Sequence, residues 1–442
     1  MITRLILFLN LFLTLIFSAC APTEERSASN TPSPASVIPI ETEHPISTPL
    51  IPERNIDFIG TNAMRYFPAE VDLTTATQID IPLAGKPVWI AGIPFDNGNA
   101  WVAALEDGSL QAYLVNPGDY TQVKITPEQL PPGAPLTIYS QNGKLFALTV
   151  PGSDASPLTS PILLNTDIPE IAYIAANGDL VIWKNGQETR LPVNALPDSL
   201  MISNRNRLLF LSNPTDIYAH GVLGDTIEAT GITLVQTHPE VSILNTISIT
   251  APDVIEGIYP IWTDINLDGE LEIIVTLSNA QDGARIVAFH EDGSLLAEGP
   301  IIGIGYRWRH QLMVAPFEKS GKNLLAVVRT PHIGGVVEFY RLNGNALEIV
   351  AEIPGISTHS IGSRNLFTAQ AGDFDNDGQV ELLAPDQNHT RLTIVGIDGV
   401  NTSQLDLNAE LVTNLATIVA PGSGMSSLAA GLSNNTLRVW IP

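Results

Sequence analysis

Asp373-Phe374-Asp375-Asn376-Asp377-Gly378-Gln379-Val380-Glu381 sets carboxylates at the first, third, fifth and ninth places around a glycine at the sixth. The acids send oxygens to one side of a tight turn. Glycine lets the backbone reverse, so that the Gln379 carbonyl and the Glu381 carboxylate close the shell. The result is an oxygen cage for a hard cation. Apolar runs flank it, Leu366-Phe367-Thr368-Ala369 before and Leu382-Leu383-Ala384 after, which predicts a strand, loop, strand setting. A near copy, Asp264-Ile265-Asn266-Leu267-Asp268-Gly269-Glu270-Leu271-Glu272, stands upstream.

Two copies point to a repeat, and weaker ones extend it. Ala315-Pro316-Phe317-Glu318-Lys319-Ser320-Gly321-Lys322-Asn323-Leu324 keeps the turn but has Pro316 and Leu324 where the first and last acids stand. Ile93-Pro94-Phe95-Asp96-Asn97-Gly98 resembles that degenerate form, Asn165-Thr166-Asp167-Ile168-Pro169-Glu170-Ile171 retains the exit glutamate, and Pro421-Gly422-Ser423-Gly424 is a shortened version. The loop glycines Gly269, Gly321, Gly378 and Gly424 are separated by 52, 57 and 46 residues. A period of about 50 residues built from about four short strands marks a propeller blade.

Hairpins fill the intervals. Asp107-Gly108, Asn142-Gly143, Asn177-Gly178, Asp282-Gly283, Asp292-Gly293, Asn343-Gly344 and Asp398-Gly399 stand beside apolar runs and supply the positive φ angles of tight turns, and Asn185-Gly186 turns the chain once more. With few aromatics, many Gly and Pro and no long amphipathic helical pattern, the chain reads as all-β. Units starting near 90, 137, 167, 202, 260, 312, 367 and 415 make a β-propeller of eight four-stranded antiparallel blades. Seven is the alternative, because the units near 137 and 202 are the faintest. The last unit shows three strands, and a segment near Met64–Asp80 or Thr77–Leu83 is expected to supply the fourth and cover its edge.

Residues 1–19 read as an export signal: Arg4, an apolar run from Leu5 to Phe17 too short for a membrane span, then Ser18-Ala19 before Cys20. Cys20 is the single cysteine, and its place resembles the cleavage site of bacterial lipoproteins, in which the thiol is acylated. The resemblance implies an extracytoplasmic protein held to a membrane by its N-terminal lipid. No thiol then remains for a disulfide or thiolate site. Residues 20–57, rich in Pro, Ser, Thr and Glu, read as a tether that cannot bury enough apolar surface to order itself. Residues 58–442 are left as a single propeller domain. The formal charge of −25 argues against nucleic acid or anionic lipid as partner, since both require Lys and Arg to neutralise phosphate.

The pattern Asp-x-Asn/Asp-x-Asp-Gly-x-x-Glu before an apolar strand, recurring at blade spacing, resembles the FG-GAP or VCBS family of β-propeller repeats. That resemblance implies structural calcium, in two sites: Asp264, Asn266, Asp268 and Glu272 with the Glu270 carbonyl, and Asp373, Asp375, Asp377 and Glu381 with the Gln379 carbonyl. An EF-hand would need an acid at the twelfth place and a flanking helix. Val275 and Ala384 stand there instead, inside strand-like runs.

Catalytic motifs are missing: there is no His-Glu-x-x-His, Gly-x-Ser-x-Gly or phosphate-cradling loop. Tyr306-Arg307-Trp308-Arg309-His310 is unusual in so acidic a chain. Arg307, Trp308, Arg309 and His310 suit a carboxylate or sugar at a channel mouth, or else alternate residues enter the core while the arginines pair with acids. Trp89, Trp262 and Trp440 sit where packing between blades explains them. The reading is a calcium-binding, lipid-anchored binding or adhesion module for a protein or glycan partner, with a glycan-active hydrolase or lyase as the alternative.

Overall fold

A computed structural model describes residues 69–165, 169–399, 403–419 and 426–442, and contains strands, turns and bends without helices. The signal segment, Cys20, the tether and the turn at 421–424 lie outside the described residues.

Strand pairing follows the chain. Pro87–Phe95, Gly98–Leu105, Leu110–Asn116 and Asp119–Val123 pair successively and antiparallel, making a first sheet. The same up-and-down order builds a third sheet over 162–192, a fourth over 202–248, a fifth over 261–298, a sixth over 309–354 and a seventh over 370–406, the fourth, fifth and sixth being joined by short pairings through Val254–Ile255 and between Glu298 and Ala346. In the eighth, Leu411–Val419, Ser426–Leu432 and Thr436–Ile441 are completed by Thr77–Pro82, which pairs antiparallel with Thr436–Ile441. The expected N-terminal strand is therefore in place. The second sheet departs from the four-stranded antiparallel expectation. Ile138–Gln141 pairs antiparallel with Lys144–Ala147, and Ile125–Thr126 adds to the latter in parallel.

What makes these sheets a propeller is that each buries apolar side chains against the next. One cluster joins Ile90, Trp101 and Tyr113 of the first sheet to Ile418, Ala429 and Val439 of the eighth. Others join the first to the second, the sixth to the seventh and the seventh to the eighth. Chain order thus returns to its start. Asn414, fully buried in the eighth sheet, seals the junction: its Oδ1 accepts from Ile90 N at 3.1 Å and its Nδ2 donates to the Ile90 carbonyl at 3.0 Å.

The centre is spanned as well. The apolar run at 366–369 lies ahead of its strand, which is Gln370–Asp373. Phe367 N donates to Asn365 Oδ1 at 3.2 Å and its carbonyl accepts from Leu415 N of the eighth sheet at 2.8 Å, while its ring stacks on Tyr259, before the fifth, at 5.4 Å. Trp89 packs against the same cluster from the first sheet. Trp262 and Trp440 are buried between sheets, as expected of packing residues.

If Thr77–Pro82 closes the ring, removing its buried side chain is costly. Ile81 is fully buried, so Ile81→Ala is expected to lower stability by about 2–5 kcal/mol, whereas exposed Thr77→Ala changes little. Urea unfolding measures both; equal midpoints for the two variants would show that closure does not depend on this strand.

Candidate functional site

In an up-and-down sheet the first-to-second and third-to-fourth turns lie at one end, and the second-to-third turns and the links between sheets at the other. The acidic loops join Ile261–Thr263 to Glu272–Asn279 and Gln370–Asp373 to Glu381–Pro385, so both occupy the first end. The Arg307 segment links the fifth sheet to the sixth and occupies the second.

The Asp373 loop is shaped by its own side chains. Gly378 N donates to Asp373 Oδ2 at 3.0 Å, Asp377 N to Asp375 Oδ1 at 3.2 Å, Gln379 N to Asp377 Oδ1 at 2.8 Å and Phe374 N to Glu381 Oε2 at 3.0 Å. Left-handed backbone at Asn376 (φ 60°) and Gly378 (φ 83°) turns the chain so the acids converge. Asp373, Asp375, Asp377 and Glu381 offer oxygens that all lie within 4.8 Å of one another. Burial, opposed by the bond from Phe374 and reinforced by the neighbouring carboxylates, pushes Glu381 up to about 8. Asp375 is raised by burial and by Asp377. Asp373 Oδ1 is buried without a hydrogen-bond partner. A converging, mutually repelling set with one orphaned oxygen fits a hard cation. The Gln379 side chain donates to Asp377 Oδ2 at 2.7 Å.

The Asp264 loop repeats the fold of this turn with a different finish. Asp268 N and Gly269 N occupy both oxygens of Asp264, at 3.1 and 2.8 Å, and Glu270 N donates to Asp268 Oδ1 at 2.8 Å. Glu272, fully buried, accepts from Ile265 N at 3.0 Å. The Asn266 amide donates to Asp268 at 2.8 Å and to Glu272 at 3.4 Å. The side chains meet one another where the other loop leaves an oxygen free. Among the described residues, only the Asp373 group meets the closer convergence.

At the opposite end, the Arg307 segment divides. Arg307 donates to the carbonyls of Ile302 and Ile304 in its own loop, at 2.9 and 3.3 Å. Arg309 is buried and its Nε donates to Glu338 at 2.9 Å. Trp308 and His310 are buried and stack at 4.8 Å. The core alternative describes Trp308, Arg309 and His310; no open face presents them together.

Around them gathers a group that local sequence does not mark. His220 and His332 sit on the second-to-third turns of the fourth and sixth sheets and His359 on the link from the sixth to the seventh, with ring centres 6.4 Å apart for His220 and His332 and 5.7 Å for His332 and His359. Trp308 meets His359 edge-on at 5.1 Å, and Tyr306 stacks on His220 at 5.5 Å. Buried Glu256 bonds His220 Nδ1 at 2.5 Å. Burial draws His359 down to about 4 and also lowers His332 and His310. The histidines are spread from 220 to 359 in the chain, so only the meeting of loops reveals them.

No family model matches the chain, and no curated protein does. Among solved structures it is similar to virginiamycin B lyase from Staphylococcus aureus, at 11% identity and TM-score 0.43 over 83% of this chain and 99% of that one. It is also similar to the Myceliophteria thermophila Cps50 (Swd1) β-propeller domain, at 11% identity and TM-score 0.39 over 83% and 99%. Chaetomium thermophilum Raptor matches at 11% identity and TM-score 0.46 over 84% of this chain, which spans 29% of the Raptor chain. At such scores the propeller assignment rests on the strand pairing itself.

A cation that binds the native loop alone stabilises the fold by roughly 2.7 kcal/mol when its concentration is a hundredfold above Kd. Calcium is expected to raise the melting temperature relative to chelator, and Asp377→Ala to remove most of that increment. Melts by differential scanning calorimetry that coincide with and without calcium would rule the ion out.

Proposed function

We propose that this chain is a lipid-anchored, extracytoplasmic β-propeller, braced by calcium at one end and engaging a protein partner with the other. The observation that carries the binding reading is where the apolar surface lies. Of the twelve large hydrophobic side chains exposed among the described residues, Ile217, Ile301, Ile304, Tyr306, Ile333 and Ile361 stand on the loops at the end away from the acidic turns. Scattered exposure is ordinary, but concentration on one set of loops marks an interaction surface. Five of the six are aliphatic, which suits a protein surface better than the aromatic stacking a glycan requires.

The resemblance to FG-GAP or VCBS repeats supports calcium as the hard cation, and the convergence of Asp373, Asp375, Asp377 and Glu381 supports a site for it. The other turn, with Asp264, Asn266, Asp268, Glu270 and Glu272, is the second and looser candidate. Cys20 after Ser18-Ala19 supports the anchor, and the Pro-rich segment after it supports a tether long enough to hold the propeller off the membrane. For the alternative, a glycan-active enzyme, Arg307 and Arg309 would have to meet a substrate. Both guanidinium groups are committed to carbonyls or Glu338, and the apolar packing of Trp89, Tyr259 and Phe367 across the centre favours the binding reading.

Two measurements separate the parts of this reading. Cys20→Ser is expected to abolish fatty-acid labelling and release the protein from membranes; labelling that persists would remove the anchor. Ile304→Asp, at a side chain 82% exposed, is expected to leave the melting temperature unchanged while eliminating chemical crosslinks to envelope proteins formed by the native chain. Retention of those crosslinks would place the partner elsewhere, and enrichment on a glycan array instead would point to a sugar.

A further inference from the structure

We infer that the Asp373 loop is a calcium-dependent latch for residues 69–76, the segment that leads into the closing strand, so that the ion sets whether this segment stays on the seventh sheet. The inference rests on the calcium reading above and adds what the ion controls. Ala69 and Glu70 pair in parallel with Gly372 and Asp373. Val71 N then donates to the Asp373 carbonyl at 3.3 Å and Leu73 N to the Phe374 carbonyl at 3.0 Å. Both acceptors belong to the loop: Asp373 is its first acid, and Phe374 N donates to Glu381, its last. Side chains follow the backbone, since Val71, Leu73 and Phe374 are buried together with Leu383, Leu392 and Trp440.

Charge makes the docking conditional. Without a cation, carboxylate oxygens within 4.8 Å of one another repel, and the buried, unpartnered Asp373 Oδ1 has no compensation. A loop that relaxes to part its acids moves the Asp373 and Phe374 carbonyls, and with them the acceptors of Val71 and Leu73. Asp72 adds to this. Its Oδ1 accepts from Thr74 N at 2.9 Å and its Oδ2 from Thr75 Oγ1 at 2.7 Å, which fixes the carboxylate in place between the two docked residues. After burial and the nearer acids Asp377 and Asp373, it is one more charge that raises Asp375. A bare acidic loop repels a segment carrying Asp72, and a loop holding a divalent ion does not. Because Asp72 is exposed, solvent screens its share, and the backbone acceptors carry most of the coupling.

The latch has clear bounds. Thr75 N and Ala76 N turn back onto the Asp72 carbonyl at 3.3 and 2.9 Å, and beyond that turn Thr77–Pro82 is paired along its whole length with Thr436–Ile441. Ring closure therefore stays in place when the segment before it lifts. A cleft lined by Leu73, Thr74, Ile394 and Leu405 runs along the segment, so its directional ties are those to the acidic loop. The Asp264 loop differs: its Asp264 carbonyl accepts from Asn323 Nδ2 at 3.0 Å, a side chain held at the start of the Leu324–Arg329 strand, and no comparable segment hangs on it. Release of residues 69–76 adds up to about 27 Å of reach at about 3.4 Å per residue. Calcium would thereby set how far the propeller stands from whatever holds the chain N-terminal to Ala69.

Amide hydrogen exchange of the full chain, followed by mass spectrometry in calcium and in chelator, tests this beside a calorimetric calcium titration. Chelation is expected to speed exchange over 69–76 at least about fivefold and to leave Thr77–Pro82 unchanged, and Asp377→Ala to exchange fast over 69–76 in both conditions. Coupling is reciprocal, so Val71→Ser combined with Leu73→Ser, which strips the buried anchors from the segment, is expected to weaken calcium binding by a similar factor. If that variant fails to fold, the exchange of the native chain decides alone. Saturable calcium binding with equal exchange over 69–76 in the two conditions overturns the latch and keeps the ion. Absence of saturable calcium binding removes both.

Discussion

Burial of sheet faces against sheet faces is the constraint on which this structure depends. Glu272–Asn279 is buried at every position and Leu324–Arg329 at all but its last, so alternate side chains on both faces of these sheets need cover. A single sheet cannot supply that. Neighbours on either side can, and a ring is the arrangement in which every sheet has two neighbours. The price of a ring is its closing point, met here by Thr77–Pro82 on the last sheet and by Asn414 between the last and the first. Arg438 adds a bidentate pair to Asp80 through Nε and Nη2, each at 2.7 Å, on the same closing strand.

The up-and-down course of each sheet then separates the two ends of the molecule. Turns within a sheet's first hairpin carry the acids, and the second-to-third turns together with the links between sheets carry His220, His332, His359 and the exposed isoleucines. Bracing and recognition are thereby kept apart. The Asp373 loop is tied to the N-terminal segment by Val71 and Leu73, whose backbone N–H groups donate to the Asp373 and Phe374 carbonyls at 3.3 and 3.0 Å, so a cation held there would stiffen both.

Much of the fold was legible because its signals are local. Asp-Gly and Asn-Gly at 107–108, 177–178, 282–283 and 343–344 sit between strands where a tight hairpin demands positive φ. The acidic turn is legible for the same reason: nine consecutive residues hold the geometry in their own hydrogen bonds. The second sheet was misjudged because a parallel addition such as Ile125–Thr126 on Lys144–Ala147 leaves no hairpin signature. The third unit begins at Ile162 instead of near 167, because its first strand precedes the loop that resembled the repeat.

By itself, the order of residues determined the all-β class, the repeating strand–loop–strand unit and the carboxylate cage at Asp373, since each is written within a few neighbouring residues. Tertiary structure alone decided the rest. Arg309 is spent on Glu338, Asn266 turns its amide onto the acids beside it, and His220, His332 and His359 meet from three different loops. The physical reason is range: a turn's geometry depends on the torsions of adjacent residues, whereas a side chain's partner depends on which distant segments the closed ring brings beside it.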